Sequence, residues 1–506
     1  MGETTPRNIL LVTADEWRGD CLSAVGHPTV RTPNLDALAA DGVLFRKHFS
    51  QATPCGPARA SLYTGMYAHN HRSVDNGIPL AARHTNLALE VRRAGLDPAL
   101  FGYTDTMLDP RCLDPGDVRT QSYHQVLPGM TPVVAMDDHF RPWIAYLKRK
   151  GYDVSTEVHS VFRPVGDDGL GREFSVSNAP ALYSAEDSQA SFLVGQVIDY
   201  LSVNRDRPWL VHISSFTPHP PFVAPAPYNS MYHPDEIAAP VRAATVEEEA
   251  AVHPWLAHYL FNQGGSPFTV GANSRRDNLR LTDADLRQIS ATYFGMISEF
   301  DAQMGRLIDY LKSNGLYDNT LIIITSDHGE HLGDHWMFAK NSYFDQTFHV
   351  PLIIRDPSNA ADAARGTQVD AFSESIDIMP TMLDWLGRTP PAQCDGASLL
   401  PLCHGNHPDG WRQEAHAHFD YRNALNSNGE RVAGLPAEQC ALTVLRGERY
   451  KYVHFTALPP LLFDLQEDPG ELHNLADDPA YQGIVLEHAQ KLLSWRMSNE
   501  QSIIAT

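Results

Sequence analysis

The chain has 506 residues, is 43% hydrophobic and 20% charged, and carries a formal net charge of −22. That is a globular balance with room for a large core and a second, smaller one. A polyanionic surface argues against nucleic acid as a partner, because phosphate binding needs a basic face; an anionic small substrate needs a local positive site instead.

Six cysteines, with no CxxC pair, do not form a disulfide framework in so long a chain, which points to a reducing compartment. The N-terminus MGETTPRNILLVTADEW has no apolar signal core, and Pro6 stands where a myristoylation signal wants Ser or Thr. No apolar run approaches a membrane span. The expectation is a soluble cytoplasmic protein with no membrane partner.

In chain order, NILLVT (Asn8 to Thr13) is a continuous apolar run that stops at Asp15, the pattern of a strand buried on both faces. TPNLDALAADG follows, with Thr32 as N-cap, Pro33 at the first helical position and Gly42 as stop. WLVHI (Trp209 to Ile213) runs on to His219, and LIIIT (Leu321 to Thr325) runs on to Asp327. Between them a long helical pattern is capped by Thr282 and closed by Gly315, and Pro227 to Asn278 reads as an insertion of weak periodicity. SIDIMPTMLDWLG (Ser375 to Gly387) predicts another amphipathic helix.

Strands alternating with helices imply an α/β fold, a mostly parallel sheet with helices on both faces, whose ligands bind beyond the C-terminal strand ends. The texture changes near residue 405. Short apolar runs, ALTVL and YKYVHF, are separated by turn-rich pieces and followed by a helix carried by Leu486 to Trp495. The expected division is a catalytic domain over 1–405 and a small C-terminal α+β domain with an antiparallel sheet over 406–506.

Polar clusters follow three of the strand candidates: Asp15-Glu16, His219 and Asp327-His328. The three carboxylates of Asp15, Glu16 and Asp327 with the His328 imidazole make a shell for a divalent metal. Oxygen-rich donors suit Ca, Mg or Mn, and the nitrogen donor tilts the choice toward Mn. An Asp at a strand end alone more often caps a turn; both pairs together favour the metal.

The stretch TPCGPARASLYTG places Cys55 two residues before Pro57 and four before Arg59. Cys55 is open to three readings: a buried small hydrophobe, a thiolate activated by Arg59, or a precursor of something else. C-x-P-x-R followed by LYTG resembles the signature of the sulfatase family of the alkaline phosphatase superfamily. Asp15-Glu16 upstream and TSDHGEHLGDH (Thr325 to His335) downstream extend the resemblance over nearly the whole chain. Gly102 to Thr104, PHPPF, RYKYVHF and the FDL…NLADDPAY tail resemble the branch of phosphonate monoester hydrolases and their arylsulfatase relatives.

The resemblance implies an alkaline-phosphatase-like fold and one divalent metal ion (Mn or Ca). It also implies oxidation of Cys55 to formylglycine by a formylglycine-generating enzyme, and a homodimer or homotetramer. Metal ligands would be Asp15, Glu16, Asp327, His328 and the matured Cys55. Arg59 would hold the site in place. His219, with Lys340, would protonate the leaving group. Asn76, Tyr103, Lys340 and His219 would contact the small anionic ester.

Two departures stand out. Many sulfatases have Gly-Lys-Trp-His where this chain has Gly102-Tyr103-Thr104-Asp105, and phosphonate hydrolases typically carry Thr and Gln where Asp105 and Glu16 stand. Asp105 is a candidate base for the second hydroxyl of the hydrated aldehyde. The departures lean toward hydrolysis of aryl or small alkyl sulfate monoesters, with side activity on phosphonate monoesters and phosphodiesters. The alternatives are a true phosphonate monoester hydrolase, an anion-binding protein in which Cys55 stays a thiol, and a phosphomonoesterase or nucleotide pyrophosphatase. The last expects Ser or Thr at position 55 and a second metal shell.

Overall fold

The computed structural model describes residues 7–117, 119, 122, 124–137, 139–154, 161–166, 178–262, 279–425 and 428–500; 263–278 of the expected insertion lie outside them. An eight-stranded sheet runs in the order Thr367–Val369, Val43–Phe45, Leu352–Arg355, Thr320–Ser326, Asn8–Ala14, Trp209–Ser215, Asp97–Gly102, Thr131–Ala135. Leu352–Arg355 is antiparallel to both its neighbours, and the other pairings are parallel. The α/β expectation holds.

The continuous apolar runs are central strands because both of their faces are covered. Leu10, Val12 and Ala14 pack into one core with Leu35, Leu193 and Phe300, while Ile9 and Leu11 pack into the other with Leu62, Val91 and Met382. The first core is roofed by helices Pro33–Ala40, Gln189–Asn204 and Asp283–Ser313. Cys55–Thr64, Leu87–Arg93 and Ile378–Trp385 roof the second. Thr282 caps the 31-residue helix Asp283–Ser313 in a reciprocal capping box with Asp285. Thr32 makes no cap bond to its helix; its hydroxyl reaches Asp36 within the first turn instead.

The C-terminal strands Ala415–Asp420, Ala441–Arg446, Tyr450–Phe455 and Leu461–Asp464 form an antiparallel meander, followed by helix Gln482–Ser498. A fifth strand joins the meander from far upstream: Ala52–Thr53 pairs in parallel with Ala415–Asp420. The backbone entering the Cys55 helix is therefore hydrogen-bonded to the C-terminal sheet.

Candidate active site

Four neighbouring strands deliver the site at their C-terminal ends. Ala14 is in register with Ser326 on one side and with Ser215 on the other. The residues that follow, Asp15-Glu16, Asp327-His328 and His219, therefore emerge side by side. Phe101 is in register with Ile213, which adds Tyr103 to Asp105 from the next strand. Gly102 has φ +123°, and a Cβ there would lie 2.0 Å from the Ser214 carbonyl oxygen, so only glycine permits the turn.

Cys55 opens the helix Cys55–Thr64 and is 6% exposed. Its Sγ lies 3.1 Å from His328 Nε2 and 3.8 Å from Asp15 Oδ1. His328 Nδ1 lies 3.1 Å from the Gly329 carbonyl, which can only accept, so the Nδ1–H donates and the Nε2 lone pair points at Cys55. Burial holds the imidazole neutral, lowering it to about 4. Burial and the Asp15 charge push the Cys55 thiol up. The cation one turn on does not reach the sulfur, because Arg59 is spent elsewhere, and the thiolate reading loses its support.

Arg59 is fully buried. Its Nε donates to Asp327 Oδ2 at 2.8 Å, Nη2 to Asp15 Oδ2 at 3.1 Å and Nη1 to Ser214 Oγ at 2.6 Å. Its guanidinium lies over the Tyr103 ring, 4.5 Å from the centroid. The Tyr103 hydroxyl, expected as a substrate contact, donates to Asp15 Oδ2 at 2.5 Å: it supports a candidate metal ligand from behind. Burial and the Asp15 charge raise Asp327, whereas His219 and Arg59 outweigh burial and lower Asp15. One guanidinium thus serves two buried carboxylates that repel each other.

The ligand atoms of Asp15, Cys55, Asp327 and His328 all lie within 4.8 Å of one another. Two carboxylates, one imidazole lone pair and the position-55 side chain fit a divalent cation. Glu16 stands to one side of this group. Its φ is +68°, a left-handed conformation that turns the chain, and the turn is held by its N–H to Asp327 Oδ1 (3.2 Å) and its carbonyl from the Tyr293 hydroxyl (2.8 Å).

Glu16 Oε2 accepts from Lys340 Nζ at 2.9 Å and lies 3.1 Å from His219 Nε2, and Oε1 has no partner among the described residues. Burial raises Glu16 to about 7. Asp15, Glu16 and His219 make a second candidate metal group, but it shares Asp15 and faces the Lys340 ammonium.

Lys340 Nζ also donates to His219 Nε2 at 2.9 Å. His219 Nδ1 lies 2.5 Å from the Pro220 carbonyl, so Nε2 is the acceptor, and burial and Lys340 lower the ring to about 4. Thr53, two residues before Cys55, donates to the Lys340 carbonyl at 2.8 Å. Glu330 accepts from the amides of Leu332 and Ala339, and His331 lies 2.8 Å from Ser342 Oγ; these contacts order the loop that presents Lys340.

Asn76 Oδ1 accepts from the Gly56 amide at 2.8 Å, tying the helix start. Asp105 lies 3.6 Å from Arg59 Nε and 2.5 Å from His124 Nδ1. His69 and His71 are structural: His71 pairs with Ser61 and Ser73, and His69 with the Asn499 carbonyl. Ser214 and His124 escape sequence reasoning. The former is hidden in an apolar strand; the latter lies in a loop with no periodic signal.

The parallel sheet, the strand-end carboxylates and the cysteine-headed helix define a hydrolase of the alkaline-phosphatase-like class. The sulfatase profile matches residues 7–388, and the chain belongs to the sulfatase family. The C-terminal profile of N-sulphoglucosamine sulphohydrolase matches residues 333–498.

The chain is 41% identical to the multifunctional alkaline phosphatase superfamily protein PehA of Trinickia caryophylli, over 98% of this chain and 96% of that one. It is similar to the phosphonate monoester hydrolase of Agrobacterium radiobacter at 46% identity and a TM-score of 0.91, covering 98% and 96% of the two chains. The phosphonate monoester hydrolase of Silicibacter pomeroyi gives 38% and 0.89, covering 99% and 97%. No helix among the described residues is long and apolar enough to cross a membrane.

Proposed function

We propose that the chain hydrolyses monoanionic esters, phosphonate monoesters ahead of sulfate monoesters, with phosphodiesters as further substrates. Cys55 is matured to formylglycine by a formylglycine-generating enzyme, and one divalent cation, Mn or Ca, is held by Asp15, Asp327 and His328. The observation that carries this reading is the convergence of Cys55 with those three ligands, flanked by Lys340 and His219. The protein works in the cytoplasm as a homodimer or homotetramer.

When bound, the cation offsets the charge of the anionic ester and lowers the pKa of an oxygen nucleophile. A hydrated aldehyde at position 55 supplies one hydroxyl for attack and a second through which the product ester is released. Arg59, committed to Asp15, Asp327 and Ser214, fixes the ligands rather than binding substrate. Lys340 brings an ammonium to the non-bridging oxygens. Because Pro220 ties His219 Nδ1, Nε2 faces the reaction side beside the Lys340 ammonium, and this pair carries the proton for the leaving oxygen. The Asn76 amide nitrogen, not used by the Gly56 contact, donates to the anion in this reading. Asp105, oriented by His124, accepts the proton of the second hydroxyl.

The preference for phosphonate departs from the expectation drawn from sequence. Glu16 and Asp105 lean toward sulfate only if they bring free negative charge to the site. Glu16 is paired with the Lys340 ammonium, and Asp105 lies beside the Arg59 guanidinium. Two relatives matched over nearly their full length are phosphonate monoester hydrolases. Sulfate remains the second reading because an arylsulfatase of Clostridium perfringens is 27% identical over 96% of this chain.

The test compares kcat/KM for p-nitrophenyl phenylphosphonate and p-nitrophenyl sulfate on protein matured with its oxidising enzyme. A phosphonate advantage of about tenfold or more, 1.4 kcal/mol in the barrier, is expected; an advantage for sulfate reverses the assignment. The mass of the tryptic peptide holding Cys55 must show aldehyde or hydrate, and Cys55→Ala must lose turnover. Unchanged turnover in that variant removes the formylglycine mechanism.

A further inference from the structure

A cavity of about 690 Å³ lies between the C-terminal helix Gln482–Ser498 and the antiparallel meander. None of the candidate catalytic residues lines it. In a chain of net charge −22 it gathers three arginines, Arg72, Arg422 and Arg496. Arg422 is used internally: its Nε and Nη2 donate to Asp420 at 2.9 and 2.5 Å.

Arg72 and Arg496 differ. Neither forms an ion pair among the described residues, and both line the same cavity. Half-buried Arg496 is lowered from its ordinary value by burial and by Arg72, even with Glu500 nearby. His418 on the cavity wall is held neutral, at about 4, by burial and by the three arginines, and adds a neutral polar edge. Of the two carboxylates on the wall, Asp420 is neutralised by Arg422, which leaves Glu438 against two unpaired guanidiniums.

The rest of the wall is mixed: His69, Thr443, His454 and Thr456 are polar, and most of the apolar part is gathered on the C-terminal helix. Leu492, Leu493 and Trp495 of the C-terminal helix face the cavity. Trp495 is held rigidly, stacked on His416 at 4.1 Å and set edge-on to Tyr67 at 4.8 Å. A packed indole beside two guanidiniums that form no ion pair is a surface for a body with a flat or aliphatic part and an anionic head.

We propose that this cavity is a second anion-binding site, separate from the Cys55 site, and that it takes an organic oxyanion: a phosphonate, sulfate or carboxylate head between Arg72 and Arg496 and an apolar body against Leu492, Leu493 and Trp495. The site touches the catalytic helix through a short path. Arg72 ends the Ala68–His71 turn that follows the catalytic helix, and four residues later Asn76 holds the Gly56 amide.

The test is calorimetric titration of the full matured chain with phenylphosphonate and, separately, with inorganic phosphate. Wild type is expected to bind one more phenylphosphonate per chain than the double variant Arg72→Gln/Arg496→Gln, whose kcat/KM stays unchanged. Binding at the Cys55 site is recognised by a dissociation constant equal to the inhibition constant. If that site rejects phosphonates, the proposed function suffers, but the remaining bound ligand is still the one lost with the two arginines. The apolar wall makes phenylphosphonate about tenfold tighter than inorganic phosphate at the second site. Equal binding by wild type and double variant overturns the proposal, and so does equal affinity for the two anions. Should the double variant fail to fold, Arg496→Gln alone must weaken the second site by about tenfold; undiminished binding there overturns it equally.

Discussion

Replacing Arg59 with Met removes one buried cation from between two buried carboxylates while keeping a side chain of similar length. Three donors vanish together: those to Asp327, Asp15 and Ser214. Breaking a buried ion pair on one side costs about 3–5 kcal/mol, because the partner charge is left uncompensated. For 506 residues, an unfolding entropy of about 2.1 cal/mol/K per residue turns that loss into a drop in Tm of about 3–5 °C. The loss should be largest in chelator. Asp15 and Asp327 face His328 across the candidate metal position, and a divalent cation there supplies the charge the guanidinium no longer does. A ligand at a hundred times its Kd stabilises by about 2.7 kcal/mol, so added Mn should restore much of the deficit. Calorimetric Tm is compared for wild type and Arg59→Met, each in EDTA and in Mn. If the variant in EDTA melts with wild type, or if Mn stabilises it less than wild type, Arg59 is not what neutralises the carboxylate pair.

Tyr103→Phe deletes the hydroxyl that supports Asp15; metal affinity, read from activity restored across a Mn titration and from the Tm rise, should fall about 10–100-fold. A rise in KM with unchanged metal affinity would return the hydroxyl to the substrate. Gly102→Ala puts a methyl 2.0 Å from a carbonyl oxygen at φ +123°. It should lose about 3 kcal/mol or more or fail to accumulate in soluble form, and a Tm equal to wild type would show that the turn yields.

Burial raises Glu299 to about 7 from an ordinary 4.5, in contact with the Ser188 hydroxyl at 2.6 Å. The folded state then binds its proton more tightly than the unfolded state, so its contribution is full below about pH 4.5 and is lost as pH rises through about 7. Glu299→Gln should be more stable than wild type by about 3 kcal/mol at pH 8 and gain little at pH 4.5; denaturation curves that shift in parallel at both pH values contradict it.

Much of this chemistry is legible locally. Asp15-Glu16, Asp327-His328 and Cys55 with Arg59 are each read from a few adjacent residues, because a strand buried on both faces must be apolar and its polar continuation marks the ligand-binding edge. The capped helix from Asp283 and the C-terminal meander follow from composition and period in the same way. What each side chain touches does not. That Asp15 and Asp327 share one guanidinium depends on the pairing of Ala14 with Ser326, more than three hundred residues away.

Tyr103 turns behind Asp15, and Glu16 turns to Lys340, through backbone angles at Gly102 and Glu16 that local pattern does not announce. Ser214 sits inside an apolar run, His124 in a loop without periodicity, and Ala52–Thr53 is too short to be read as a strand of the C-terminal sheet. Short segments encode their own secondary structure and the chemistry at its ends. The distances between those ends are set by sheet register and core packing, and these exist only when the distant segments meet.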